Sequence, residues 1–99
     1  VNIKIMTIQS FKCKHTAAVF MAKNARRFGV DVQKVAQRKL LLLNEAQVLE
    51  DLRSPPSNHL EALQGDREGE YSIRINKQWR LCFTWQGGHA YNVEIVDYH

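Results

Sequence analysis

Three short runs in the second half of the chain alternate between apolar and polar residues. "YSIRI" puts Tyr71, Ile73 and Ile75 on one side, "WRLCFTW" does the same with Trp79, Leu81, Phe83 and Trp85, and "YNVEI" with Tyr91, Val93 and Ile95. A period of two is the mark of a half-buried strand. The joining segments "NKQ" and "QGG" are long enough only for turns, so the runs form an antiparallel meander with one apolar face. "LEALQG" reads as a further strand ahead of them. A sheet that is apolar on one side needs a cover.

The first half supplies it, because there the period changes to 3.6. After a short first strand, "IQSFKC", Thr16 is expected to cap a helix with Ala17, Phe20, Met21, Ala25 and Phe28 inward and Gly29 as its stop. Asp31 is expected to cap a second helix with Val32, Val35, Ala36, Leu40 and Leu43 inward. Asn44 should end it and cap a short third, "EAQVLEDL", stopped by "SPP". The expected fold class is α+β: an N-terminal strand and two to three helices packed on one face of an antiparallel β-sheet. At 99 residues and 44 % apolar composition, the chain suits one domain, 1–99, with one modest core. Met6 is read as the start, which makes 1–5 an N-terminal extension.

Strand register makes a sharper prediction. Keeping Ile75 with Trp79, Ile73 with Leu81 and Tyr71 with Phe83 requires a three-residue turn, which sets Arg74 directly opposite Arg80 on the polar face. Like charges opposed in this way repel. A second three-residue turn, Gln86 to Gly88, would bring Glu94 across from Arg80. The pair of arginines then reads either as a surface Arg–Glu cluster or as two planar forks flanking a phosphate.

The net charge of +4 is unevenly spread. Residues 1–43 hold nine Lys and Arg against Asp31 alone, whereas 44–99 hold five against nine Asp and Glu. Such segregation fits a face meant for a polyanion. Lys34 and Arg38, four residues apart, share the outward side of the second helix. No apolar run approaches the ~20 residues of a membrane span, and "VNIKIMTIQSF" lacks the order of a secretory signal. A soluble, cytoplasmic protein is expected. Cys13 and Cys82 read as reduced, half-buried thiols. Together with His15 and His89 they show no metal-ligand spacing, so neither metal nor cofactor is expected.

"LEALQGDREGEYSIRINKQWRLCF" with "AYNVEIVDYH" resembles the HigB-like toxins of the RelE superfamily, the toxin halves of bacterial toxin–antitoxin pairs. The likeness runs from "IQSFKCK" onward, and the combination of G-D-R-x-G, N-x-Q-W-R and terminal D-Y-H is specific. It implies a RelE-like endoribonuclease that cuts messenger RNA on the ribosome and is neutralised by a HigA-like helix-turn-helix antitoxin. DNA would be reached only through that antitoxin.

Metal-free RNA cleavage needs a base for the 2′-OH, a cation for the phosphorane and an acid for the leaving 5′-oxygen. By resemblance Arg80 supplies the cation. His99 fits acid or base, since imidazole titrates near neutrality. Tyr98 would orient the phosphate or stack on a base, and Asp97 would hold His99 in one tautomer. Gln64, Arg67, Arg74, Lys34, Arg38, Lys23 and Arg27 are the candidates for RNA or ribosome contact. Relatives carry a lysine where this chain has Gln64 and a histidine where it has Glu61, which leaves the general base to His99 or Glu61. His15, His59 and His89 have no motif behind them. The competing reading is a non-catalytic RNA-, ribosome- or antitoxin-binding module with the same fold.

Overall fold

A computed structural model describes residues 6–98; His99 and the expected extension lie outside them. Two α-helices, α1 (Lys14–Phe20) and α2 (Val30–Glu45), precede a four-stranded antiparallel sheet of β1 (Glu61–Ala62), β2 (Glu70–Arg74), β3 (Trp79–Gln86) and β4 (His89–Asp97). The strands lie in sequence order. Beyond β4, the segment from Thr7 to Lys12 runs parallel to it, with Gln9 N donating to Ala90 O at 2.8 Å and Lys12 N to Val93 O at 3.0 Å. The α+β expectation holds in outline.

The helices cover the apolar face, α2 packing on β3 and β4. Leu40, Leu43, Ile73, Leu81, Phe83 and Val93 are fully buried between the layers. Each large aliphatic side chain removed from water in this way contributes roughly 1.5–3 kcal/mol. Trp79 closes one end of this core, edge-on to Phe28 at 5.3 Å between ring centres.

Several local expectations fail, each for a visible reason. Thr16 does not cap α1, which begins two residues earlier; it is buried, and its Oγ1 accepts a hydrogen bond from Ile95 N at 3.0 Å. The helix stops at Phe20 because Ala22 takes a left-handed conformation, φ 57°. Ala25 and Phe28 are still buried, but from a loop that Gln33 pins by accepting from Ala25 N and donating to Phe28 O. Gly29, not Asp31, is the N-cap of α2. Asn44 accepts from Ile8 N instead of capping the next turn. The third helix is a five-residue 3₁₀ turn, Leu49–Arg53, whose start is held by Asp51 Oδ2 on Gln47 N and Val48 N.

Register is correct for one hairpin and wrong for the next. Arg74 pairs with Arg80 and Tyr71 with Phe83, as the three-residue turn demands, and Asn76 Oδ1 closes that turn by accepting from Gln78 N and Trp79 N. In the β3–β4 hairpin only Gly87 and Gly88 form the turn, at φ 60° and 80°, so Gln86 pairs with His89. A bulge comes next, with Asn92 at φ 54°, which shifts the pairing again. Arg80 therefore faces Val96, and Glu94 faces Cys82. The same bulge turns Tyr91 to the face of Thr84 and puts Ala90 in the core instead.

Candidate active site

Arg80 is a charged side chain set into the sheet, with only 7 % of its surface exposed. Its Nε donates to Ser72 Oγ at 2.8 Å on the neighbouring strand. Its Nη2 donates to the carbonyl oxygen of His59 and, more weakly, to Ser72 O. The carbonyl is presented because His59 adopts a left-handed conformation, φ 44° and ψ 58°, at the end of the 3₁₀ turn Pro56–Asn58. Asn58 anchors that turn: it is buried, donates to Leu52 O and accepts from Lys39 Nζ on α2.

One edge of the guanidinium is thereby fixed, while Nη1 bonds to no described residue. Among the described residues the sole carboxylate near it is Glu61, 3.8 Å from Nη2 and 54 % exposed. An ion pair that open to water does little to compensate a buried charge. The other face of Arg80 is covered by Tyr98, whose ring centre lies 5.7 Å from Cζ. Tyr98 is itself held: its backbone N donates to Gln78 O at 2.6 Å, which ties the strand end to the β2–β3 turn.

Around Arg80 and Tyr98 opens a cleft of about 250 Å³, with Arg74, Lys77 and Asn76 on one side and His59 and Glu61 on the other. Arg74 is steadied by a bond from Nε to Asn76 O at 3.2 Å. Three cations and one carboxylate give the cleft a positive balance that suits a phosphodiester. Among the described residues no group of three His, Cys, Asp or Glu side chains is placed to hold a metal ion.

Of the residues expected in the site, Arg80, Tyr98 and Arg74 share this cleft, and Glu61 joins them. Asp97 does not line it: successive strand residues point to opposite faces, and Asp97 accepts from Gln78 Nε2 at 3.1 Å. Whether it orients His99 falls outside the described residues. Gln64 lies in a separate hollow with Glu68 and Glu70. Arg67 sits over the outer face of the sheet, bonded to Glu70 and Glu94 at 3.2 Å each. Burial alone would lower its pKa, but the Glu94 bond and the charge of Glu70 outweigh that and raise it. Lys23 and Lys34 border a groove between α1 and α2, and Arg27 is exposed on the loop between those helices. Arg38 lines a different groove.

His59, Asn76 and Lys77 were missed by sequence reasoning. A three-residue turn after Arg74 does imply that its own side chains flank the arginine pair, so Asn76 and Lys77 could have been found. Nothing local reveals His59, which reaches Arg80 only because the 3₁₀ turn folds back on β2 and β3.

Comparison with known proteins fits this geometry. Residues 9–99 match the family model described as the RelE-like toxin of the type II toxin–antitoxin system HigB. The chain is 44 % identical to Toxin HigB-1 of Vibrio cholerae over 73 residues, which span 74 % of this chain and 77 % of that one. It is 45 % identical over 40 residues to Endoribonuclease HigB of Proteus vulgaris, spanning 40 % and 44 % of the two chains. The fold resembles that in the YoeB–YefM complex from Staphylococcus aureus, with a TM-score of 0.60 and 17 % identity over 93 % of this chain and 97 % of that one.

Proposed function

Because the chain belongs to the HigB-like group of RelE-like toxins, we propose that it inhibits growth by cutting messenger RNA on the ribosome, without a metal, and is held in check by a HigA-like helix-turn-helix antitoxin. The observation that carries this reading is the buried Arg80, clamped on one edge, covered by Tyr98 and with Nη1 bonded to none of the described residues. A buried cation with so weak a partner is completed by an anion, and a scissile phosphate is the anion that the cleft's size and charge suit.

The chemistry uses RNA's own nucleophile. The 2′-oxygen attacks the adjacent phosphorus, the bond to the 5′-oxygen breaks, and a 2′,3′-cyclic phosphate and a 5′-hydroxyl remain. Arg80 neutralises the charge that develops on the phosphorane, with Arg74 and Lys77 drawing the strand in. Two groups in the cleft can take the 2′-OH proton, the Glu61 carboxylate and the His59 imidazole. His99, next after Tyr98, is assigned to protonate the leaving oxygen. Binding to DNA would go through the antitoxin alone.

The test is cleavage of a defined message on programmed ribosomes. Removing His99 should flatten the pH–rate profile near neutrality, whereas losing Arg80 should lower the profile throughout and keep its shape. Comparing His59→Ala with Glu61→Gln identifies the base, since only its loss removes the rising limb. Brisk cutting of naked RNA, or full toxicity without Arg80, would refute the proposal. Unaltered ribosome binding with no cleavage would make the chain a binding module.

A further inference from the structure

Along α2, Val35, Arg38, Lys39 and Leu42 recur at helical spacing and form one stripe. The stripe is one wall of an open groove of about 520 Å³ whose opposite wall is the end of β2 and the turn after it. The floor is aliphatic, built from Val35, Leu42, Pro55 and Ile75, and Leu42 is 38 % exposed. The rim is Arg38, Lys39, Arg74 and Lys77.

This combination selects its occupant. Among the described residues no carboxylate lines the groove, so an occupant must bring negative charge. Nor does any described aromatic side chain line it, and single-stranded nucleic acid is normally held by stacking its bases on aromatic rings. A floor of bare aliphatic groups instead rewards aliphatic side chains. We propose that this groove docks a segment of the antitoxin in which aliphatic residues alternate with Asp or Glu. The proposal rests on the toxin reading above and adds where and how neutralisation acts.

The mechanism comes from shared walls. Arg74, Asn76 and Lys77 line both this groove and the cleft around Arg80. Carboxylates seated in the groove therefore engage Arg74 and Lys77 and take from the cleft two of the cations that draw RNA in. The antitoxin does not need to reach Arg80 itself.

The experiment titrates overlapping peptides, tiled across a HigA-like antitoxin, into the isotope-labelled protein. One acidic, aliphatic peptide should shift the amide signals of Arg38, Leu42, Ile75 and Lys77. Leu42→Asp should weaken it at least about tenfold, the scale of one lost aliphatic anchor. Ser57→Glu, a change at an exposed position of the same groove, should weaken it by repulsion and guards against a folding defect in the first variant. Without antitoxin, Leu42→Ala, which adds no charge beside Arg74 and Lys77, should cut ribosomal messages at the wild-type rate. Peptides that bind elsewhere, or bind both variants as tightly as wild type, overturn the proposal. So does loss of cleavage in Leu42→Ala with peptide binding unchanged, which would make the groove an RNA track. A wild-type chain that binds the peptide here but never cuts RNA sinks the enzyme reading and leaves the docking site standing.

Discussion

On the outer face of the sheet, Arg67 is bonded to both Glu70 and Glu94, and Lys12 shares the second carboxylate at 3.6 Å. Nearby, Arg74, Lys77 and Arg80 line one cleft in which Glu61 is the sole carboxylate among the described residues. The two clusters use the same residue types. In the first, cations and carboxylates saturate one another and nothing is left to bind. In the second the more deeply buried arginine has the poorer partner. Structural charge is balanced within the chain, and functional charge waits for something outside it.

The largest expected effect breaks the open cluster. Arg80→Ala should slow ribosome-dependent cleavage by a few hundredfold, the scale of ~3–4 kcal/mol in transition-state stabilisation. It should also cost stability of about 1–3 kcal/mol, because the His59 carbonyl and Ser72 lose their donor. Arg80→Lys retains the charge but not the clamp and should fall between the two in single-turnover rate.

The next probes the closed cluster through Cys82, the fully buried thiol facing Glu94. Burial pushes its pKa up from 9.0 to about 11, with Arg67 opposing and Glu70 and Glu94 adding to the rise. A raised folded-state pKa gives stability that is complete below the unfolded value and lost as pH climbs through the folded one. Denaturant unfolding should therefore show a decline of order 2 kcal/mol between pH 9 and about 11 that Cys82→Ala abolishes. An identical decline in the variant would show that the thiol is not responsible.

A smaller effect is expected from Glu94→Gln, which leaves Arg67 and Lys12 with a neutral partner. Stability should drop by about 1 kcal/mol or less, as for other half-exposed pairs, with cleavage unchanged. A fall in cleavage would link the two clusters and spoil the contrast. The smallest effect tests the cover over Arg80. Tyr98→Ala should cost roughly 0.5–1 kcal/mol in affinity for a phosphodiester, two- to fivefold, and Tyr98→Phe less, if the ring acts mainly as a cation–π partner.

The sheet and its cover were legible in the sequence because a change of period from 3.6 to 2 survives any tertiary detail. The Arg74–Arg80 pairing was legible too, since a turn of fixed length with Asn76 at its start leaves one register. The β3–β4 pairing was not: the Gly87–Gly88 turn is one residue shorter than expected, and the left-handed backbone of Asn92, a non-glycine residue with no local signature, shifts the register once more. Burial of Thr16 could not be read either: its partner, Ile95, is 79 positions away. The same holds in the site. Arg80 and Tyr98 were marked by resemblance, while His59 contributes through a backbone carbonyl, which no side-chain pattern can reveal.

The parallel docking of the Thr7–Lys12 segment on β4 bears on how the protein comes into being. Its hydrogen bonds, and the Thr16–Ile95 bond, join positions roughly eighty residues apart. Contacts of that separation are late events, since the loop between them must be closed before they give anything back. During synthesis α1 and α2 emerge first and lack the sheet they cover. The cleft cannot assemble until β4 and the tyrosine after it are clear of the ribosome that made them. A chain whose proposed target is the ribosome is thus inert until its last strand has been made.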